Sequence, residues 1–274
     1  MLHLLRSGLA ALLLMAFYST AATAAEKSDE QKMSEKQKMT LKLLHNRGAL
    51  DEFDNLALLD STSTNPLRLV LGDEHGFVHV YERRDKAFVE VWTSEYFEGA
   101  ISHLFVVDIN DDDLEEIVVV IDDQGRFYYL DTQAYNTLWS NPPSEYERIT
   151  ALLVHNTDED SQPELIFCAD GHLIIYDGHE QFEEWRSEQD NLEATEILIA
   201  DVDGDEVDEI VLNSGYVFDA RFHDLEWQSP EPFGQRMGFL DIDDDGILEV
   251  IGEFGQHSIR IFDIDLRREK SPRR

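Results

Sequence analysis

The amino-acid sequence predicts an all-β fold, a β-propeller of about five four-stranded blades, preceded by a short N-terminal helical or extended segment after a signal peptide. The first observation behind this prediction is a motif of strand, acidic turn and strand that occurs five times in 274 residues, beginning at Asn55, His103, Ala151, Ile197 and Met237. The second is that a tight turn and two further short runs follow every motif except the last, which ends after one run, IRIFDID. Four short strands per unit of roughly 40–50 residues are typical of propeller blades.

The tryptophans supply a third observation. All four occupy the same place in the repeat, in its fourth run, at Trp92, Trp139, Trp185 and Trp227. Large aromatic residues at a regular spacing usually belong to a core. We expect them to fill the space between the outer strands of adjacent blades, and stacking against a sugar is the alternative.

Residues 1–25 have the three-part build of a secretory signal peptide. A short basic region around Arg6 precedes the apolar run Leu9–Tyr18, and small residues follow up to Ala25. A membrane anchor is the alternative, but the apolar run is short for spanning a bilayer. We therefore expect an exported protein, periplasmic or extracellular, whose mature chain does not insert into a membrane.

The rest of the chain divides into three regions. Residues 26–48 form an N-terminal segment, either a helix over 28–46 or a linker; residues 49–265 form the five-unit propeller; residues 266–274 form a basic tail. Because the fifth unit stops after its third strand, a strand from Met39–Leu44 is the candidate to close the ring, unless that segment is helical.

The charge of the chain limits its partners. The formal net charge is −36, and region 49–265 alone holds 53 acidic and 10 basic residues, a net of −43. Such a body repels nucleic acid and anionic lipid, so we expect neither as a partner. Cys168 is the only cysteine. It excludes an internal disulfide, so packing or bound ions must stabilise the fold.

Three of the five acidic turns carry oxygen-bearing side chains at positions 1, 3, 5 and 9. These are Asp108, Asn110, Asp112 and Glu116 in unit two, Asp201, Asp203, Asp205 and Glu209 in unit four, and Asp241, Asp243, Asp245 and Glu249 in unit five. Oxygens at positions 1, 3 and 5 of a tight loop can converge on one point, and a fourth carboxylate returns where the next strand begins. An all-oxygen set without His or Cys suits Ca²⁺, whereas Mg²⁺ keeps fewer protein ligands and more water. We therefore predict Ca²⁺ as the cofactor.

The alternative interpretation is that these acids only form Asx-turns. Three turns with four oxygens each in one register favour the cation. The pattern is not an EF-hand, which needs its bidentate glutamate at position 12 and helices on both sides. Units one and three keep the loop but lose the oxygen set, with Arg68 at position 9 of unit one and His155 at position 1 of unit three, so we expect little or no metal there. Asp113 stands where a glycine is usual at position 6 of unit two, and we expect backbone strain to weaken that site.

The loops DVDGDEVDE and DIDDDGILE, and less closely DINDDDLEE, resemble the calcium loop of the FG-GAP/VCBS repeat family. The resemblance covers about 55–265 and implies a calcium-stabilised propeller that binds proteins or glycans. Integrin α chains belong to this family and have seven units, whereas five occur here, and the Phe-Gly and Gly-Ala-Pro pairs that name the family are not a regular feature. Integrin-like ligand binding therefore does not transfer to this chain.

A binding or scaffold module for a protein or glycan partner is the function we favour. Loops 93–101, 140–148 and 228–236 are the richest in Tyr, Phe and Pro, and they are candidate partner surfaces. We find no catalytic set, although a propeller enzyme acting on polysaccharide or phosphate ester is an alternative. A structural subunit of an envelope assembly, docked through the basic tail, is a third hypothesis.

Overall fold

The computed structural model describes residues 54–59, 66–157, 162–255 and 258–270. All of them belong to one compact unit, Phe53–Arg274. The signal peptide, the segment 26–48 and the candidate closing strand Met39–Leu44 lie outside the described residues. Within the described part of the chain, no helix has the length and apolar character needed to cross a membrane.

Twenty short strands and one 3₁₀ turn, Asp122–Gln124, make up the regular structure of the described residues. In chain order the strands are β1 Leu56–Leu59, β2 Arg68–Gly72, β3 Val78–Arg84, β4 Ala87–Thr93, β5 His103–Val107, β6 Glu116–Ile121, β7 Arg126–Asp131, β8 Thr137–Ser140, β9 Ile149–His155, β10 Glu164–Ala169, β11 His172–Asp177, β12 Phe182–Arg186, β13 Ile197–Ala200, β14 Glu209–Leu212, β15 Tyr216–Asp219, β16 Leu225–Gln228, β17 Met237–Leu240, β18 Glu249–Phe254, β19 Ser258–Asp263 and β20 Arg268–Glu269.

These strands form five separate four-stranded antiparallel sheets, in which neighbours in sequence are neighbours in the sheet. We number them blade one (β1–β4) to blade five (β17–β20). This confirms the predicted all-β propeller with five four-stranded blades. One expectation was wrong: the fifth unit does not stop after its third strand, because Arg268 and Glu269 pair with Asp263 and Phe262 as β20. The segment predicted as a basic tail therefore contains the outer strand of blade five.

Burial changes in the same way across each central blade. The second strands are the most buried: every residue of β6, β10 and β14 is buried, whereas no residue of the outer strands β8, β12 and β16 is buried. The continuous apolar runs of the second strands explain this pattern, since a strand covered on both faces has no polar alternation. Cys168 lies in β10, buried at 2% exposure, as a small apolar core residue.

Four apolar clusters hold the propeller together, and each one joins two neighbouring blades. The tryptophans lie at these junctions, as predicted. Trp92 of blade one meets Tyr135 of blade two with ring centroids 4.8 Å apart, and Trp139 of blade two lies 6.0 Å from Tyr176 of blade three. Trp185 contacts Phe218 of blade four in the same way, at 6.1 Å.

The described residues show no such cluster between blade five and blade one. Two apolar side chains of blade five are exposed, Leu240 at 39% and Ile259 at 48%. Ile251 of β18 is only half-buried, whereas Val211, at the matching place in β14, is fully buried. Among the described residues, each of the four apolar interfaces is built from side chains of two neighbouring blades.

We predict that Trp139→Ala lowers the free energy of unfolding by about 2–4 kcal/mol, because it leaves a cavity between blades two and three. The midpoint of urea unfolding measures this change. Phe222→Ala is the matched control, since Phe222 is 67% exposed, and it should change stability by less than about 0.5 kcal/mol. Equal effects of the two substitutions would contradict the inter-blade role of the tryptophan.

Candidate metal centres

Each predicted loop lies between the first and second strands of its blade, and the three loops share one backbone shape. Position 4 is left-handed in all three, with φ of 55° at Asp111, 85° at Gly204 and 61° at Asp244. Position 6 is left-handed too, with φ of 66° at Asp113, 72° at Glu206 and 92° at Gly246. From the sequence, we expected the left-handed conformation only at position 6, and its presence at position 4 is new. Blade two is the one loop of the three with no glycine at either place, so its backbone carries the most strain.

Side chains within the loops hold this shape by the same hydrogen bonds. The aspartate at position 1 accepts the N–H of position 6 through Oδ2, at 2.9 Å in blade two, 3.1 Å in blade four and 2.9 Å in blade five. The aspartate at position 5 accepts the N–H of position 7 through Oδ1, at 2.9, 2.8 and 3.0 Å in the same order. These are Asx-type turns, as the alternative interpretation expected. The other oxygen of the position-1 aspartate, Oδ1, accepts a second loop N–H in each blade, from Asp112 at 3.2 Å, Gly204 at 2.7 Å and Asp245 at 3.2 Å. A carboxylate oxygen has two lone pairs, so an oxygen that accepts one N–H can still bind a cation.

The glutamate at position 9 is the buried member of each set. Glu116, Glu209 and Glu249 are 1–4% exposed at the start of β6, β14 and β18. In each, Oε2 accepts the N–H of position 2, at 3.2 Å from Ile109, 2.7 Å from Val202 and 2.8 Å from Ile242. One carboxylate oxygen therefore ties the loop to the strand, and the second oxygen, Oε1, needs another positive partner.

Blade four brings its predicted ligands together most completely. Oxygens of Asp201, Asp203 and Glu209 lie within 4.8 Å of one another. Asp205 is not among the three that converge, and its Oδ1 accepts the Val207 N–H at 2.8 Å. Among the described residues, no lysine or arginine forms an ion pair with any of the four. Three carboxylates at this range repel each other unless a cation lies among them. This oxygen-only set can hold a metal ion.

Blade five forms the same cluster, with oxygens of Asp241, Asp243 and Glu249 within 4.8 Å of one another. Here a basic residue enters the cluster. The Nζ of Lys270 lies 2.5 Å from Asp243 Oδ2 and 2.7 Å from Glu249 Oε1. The ammonium thus bridges two of the predicted ligands at the point where their oxygens converge.

Blade two has the same loop but a mixed donor set. The carbonyl oxygen of the Asn110 side chain accepts the N–H of Asp112 at 3.1 Å, and its amide nitrogen lies 3.5 Å from Asp112 Oδ2. The neutral Asn110 therefore contributes an amide where blades four and five have a third carboxylate, Asp203 or Asp243. Asp108 and Glu116 keep the places that their counterparts have in blades four and five.

Burial raises the pKa of two of these glutamates, Glu209 and Glu116. It raises the pKa of Glu209 to about 8, with repulsion from Asp203, Glu226 and Asp201 adding to the effect. In the same way, burial and then the charges of Asp112 and Asp108 raise the pKa of Glu116 to about 7. The backbone hydrogen bond at position 2 opposes the rise in both cases. Without a cation, burial therefore favours the protonated state of these two carboxylates up to a higher pH than is usual for a glutamate.

Units one and three differ from the other loops as predicted at the residues that can be seen. Arg68, at position 9 of unit one, donates from Nη1 to the Thr132 carbonyl at 2.9 Å and to the Tyr135 hydroxyl at 2.5 Å. In unit three, Glu164 Oε2 accepts both the N–H and the hydroxyl of Thr157, at 2.7 and 3.0 Å. Residues 60–65 and 158–161 lie outside the described part of the chain, so the expectation of little or no metal there stays a prediction.

Two further features escaped the sequence analysis. Lys270 was one, since it lies outside every repeat. The other is an aspartate that ends the third strand in each of blades two to five. In blades two, three and four, this aspartate pairs with the glutamate that begins the second strand. In the register of the sheets, Asp131 pairs with Glu116, Asp177 with Glu164 and Asp219 with Glu209. The signal was visible in the sequences RFYYLD, HLIIYD, YVFD and SIRIFD, and these aspartates cap the following turns.

The aromatic loops proposed as partner surfaces mostly face inward. Tyr146 is 1% exposed and Phe233 is fully buried, so neither ring can contact a partner. Phe97 packs against Tyr128 with centroids 4.9 Å apart, in the cluster between blades one and two. Of the rings in these loops, Tyr96, at 58% exposure, is the prominent exposed one. The aromatic content of these loops therefore reflects packing between blades.

No protein-family model matches the chain, and no curated protein matches it. Solved β-propeller-like structures do match. BBS1N, solved in complex with ARL6DN, aligns with a TM-score of 0.56 and 10% identity over 80% of this chain and 67% of that chain. Sqt1 of Saccharomyces cerevisiae aligns with a TM-score of 0.52 and 12% identity over 78% of this chain and 61% of that chain. The computationally designed protein Ika8 aligns with a TM-score of 0.53 and 14% identity over 78% of this chain and 59% of that chain.

These identities are low, so the matches show the β-propeller fold alone. The chain spans about three fifths to two thirds of the length of the three structures.

We predict that, in a chelator, the thermal stability of the protein falls as the pH rises from about 5 to about 8. The folded pKa of Glu209 is about 8 against an ordinary 4.5, so over this interval the folded state holds a proton that the unfolded state has lost. Glu209→Gln should remove part of this slope. Between about pH 5 and about pH 8, the Tm of Glu209→Gln should fall less than the Tm of the wild type, by a margin of at least about 3 °C. For a domain of this size, that margin corresponds to roughly 1 kcal/mol.

Glu206→Gln is the control, since it makes the same change at an exposed position of the same loop. It should keep the wild-type slope. Identical slopes for wild type and Glu209→Gln in a differential scanning measurement would contradict the prediction.

Proposed function

We propose that this protein is an exported, calcium-stabilised β-propeller that serves as a binding or scaffold module. The observation that carries the proposal is the repetition of one loop design in blades two, four and five. In all three, positions 1, 5 and 9 make the same three hydrogen bonds to the backbone of the loop. In blades four and five, three carboxylates then converge within 4.8 Å.

The donor chemistry supports calcium as the cation. Every side-chain donor of the predicted sites is a carboxylate or amide oxygen, and hard oxygen ligands suit Ca²⁺, which accepts six to eight of them at about 2.3–2.6 Å. A dication would neutralise the buried charge of Glu209 or Glu116 and hold the first strand of the blade to the second through the loop. The similarity of the loop sequences to the FG-GAP/VCBS repeats supports the same assignment.

The fold supports a binding role. A propeller built from packed blades is a rigid platform, and its connecting loops can vary without disturbing the sheets. BBS1N, a structure with the same fold, was solved in complex with ARL6DN. A protein partner is therefore the first class to test for this chain, and a glycan is the second. Export rests on the signal-peptide pattern of residues 1–25, and it would place the protein where calcium is available to weak sites.

We predict that Ca²⁺ raises the Tm of the protein and that Asp203→Asn removes most of the contribution of blade four. A site with a Kd of about 10 μM contributes about 2.7 kcal/mol at about 1 mM Ca²⁺, because ligand binds only the folded state. For a domain of this size, that energy corresponds to a rise in Tm of about 5–10 °C. Isothermal titration calorimetry measures the binding, and differential scanning calorimetry measures the rise in Tm.

Asp208→Asn is the matched control. Asp208 is an exposed carboxylate at position 8 of the same loop, and it pairs with His155 at 3.4 Å rather than with the ligand set. It should leave calcium binding unchanged. A Tm that is the same in calcium and in chelator would refute the calcium-stabilised propeller.

For the binding role, immobilised protein should retain partners from an extracellular or periplasmic fraction in calcium and lose them in chelator.

A further inference from the structure

Lys270 reaches the blade-five loop from the end of the last described strand. Its ammonium donates to Asp243 Oδ2 at 2.5 Å and to Glu249 Oε1 at 2.7 Å, and it lies 3.8 Å from Asp263 Oδ2. Glu249 is 4% exposed, and its other oxygen already accepts the Ile242 N–H. The lysine therefore neutralises the buried charge that a metal ion would otherwise neutralise.

Strand β20 delivers this side chain to the loop. The backbone N–H of Lys270 donates to the Ile261 carbonyl at 2.7 Å, and the adjacent Glu269 forms a bidentate pair with Arg260 at 2.8 and 2.5 Å. Because β20 has only two residues, the contacts of Lys270 with Asp243 and Glu249 add to the few contacts that hold this end of blade five.

Blade four provides the internal comparison. Its loop has the same backbone shape and the same Asp and Glu positions, and its ligand oxygens converge within the same 4.8 Å. Within the described part of the chain, no lysine or arginine nitrogen comes within ion-pair distance of Asp201, Asp203, Asp205 or Glu209. The two sites thus share their ligands and differ in whether the chain itself supplies a cation.

We propose that Lys270 is a built-in competitor for the blade-five cation site, so that blade four binds a divalent cation first and blade five binds one only when Lys270 withdraws. This inference rests on the proposed cation binding and adds its regulation. At low cation concentration, Lys270 latches the outer strand of blade five to the loop. At high concentration, the cation takes Asp243 and Glu249 and the latch opens.

The two occupants exclude each other for steric and electrostatic reasons. Ca²⁺ would bind the same oxygens at about 2.3–2.6 Å, which is the place where the ammonium now lies. Two positive charges that share two oxygens would also repel each other strongly in this partly buried position. A tethered competitor acts at an effective concentration on the order of millimolar, so it lowers the apparent affinity for the cation without any change in the ligands.

Calorimetric titration with Ca²⁺ tests the proposal through the variant Lys270→Met. Of the two binding events that belong to blades four and five, we expect the weaker one of the wild type to tighten by about tenfold or more, because the competitor is gone. Adding Asp243→Asn to Lys270→Met should abolish that event, and Asp203→Asn should abolish the tighter one instead. Arg268→Met is the matched control, because it removes a positive charge from β20. The guanidinium of Arg268 pairs with Asp263, at 3.6 Å, and not with Asp243 or Glu249. It should change both affinities by less than about twofold.

The possible outcomes separate this inference from the proposed function. If blade four binds Ca²⁺ and Lys270→Met leaves the weaker event unchanged, the competition is refuted and the calcium-stabilised propeller remains. If neither wild type nor Lys270→Met binds Ca²⁺, both proposals fail. An equal effect of Arg268→Met and Lys270→Met would refute the specific role of Lys270 and show a general effect of charge.

A second measurement uses the wild-type protein and does not depend on the folding of a variant. Reductive methylation followed by mass spectrometry reports how accessible each lysine amine is. Saturating Ca²⁺ should increase the rate at Lys270 several-fold, whereas the exposed Lys86 serves as the internal reference and should react at a constant rate. A rate at Lys270 that does not change while blade four binds Ca²⁺ would overturn the proposal.

Discussion

The constraint on which the structure depends is a carboxylate buried at the start of the second strand of a blade. Glu116, Glu209 and Glu249 are almost inaccessible, and each spends one oxygen on a backbone N–H that joins the loop to the strand. Left ionised and uncompensated, the second oxygen would carry a negative charge in a region of low dielectric, at a cost of several kcal/mol. Whatever compensates it also determines how the first two strands of the blade are held together.

The blades meet this requirement in different ways. Blade four surrounds Glu209 with further carboxylates, a set that could hold a metal ion. Blade five has the same carboxylates but brings in Lys270 from its outer strand. Blade three satisfies Glu164 with the backbone and hydroxyl of Thr157, and blade one replaces the glutamate by Arg68, which bonds to blade two. The five copies thus share one strand arrangement and differ in the charged and polar groups at the start of the second strand.

Much of the fold and of the candidate sites could be predicted because both are local. The five motifs, the tight turns and the position of each tryptophan are set by short stretches of sequence, and so is the spacing of positions 1, 3, 5 and 9. What could not be predicted depends on distant contacts. Lys270 meets Glu249 across 21 residues through a two-residue strand that no periodicity reveals. Tyr146 and Phe233 suggested a partner surface because aromatic residues in loops are ambiguous, and only the packing of neighbouring blades shows them to be core.

The most direct test of the account is a crystal structure of the protein grown with Ca²⁺, with anomalous scattering measured at a wavelength where calcium contributes. We expect an anomalous peak among Asp201, Asp203, Asp205 and Glu209, with six to eight oxygens at about 2.3–2.6 Å. A blade-four loop whose carboxylates diverge into solvent at saturating Ca²⁺, with no anomalous peak between them, would contradict it.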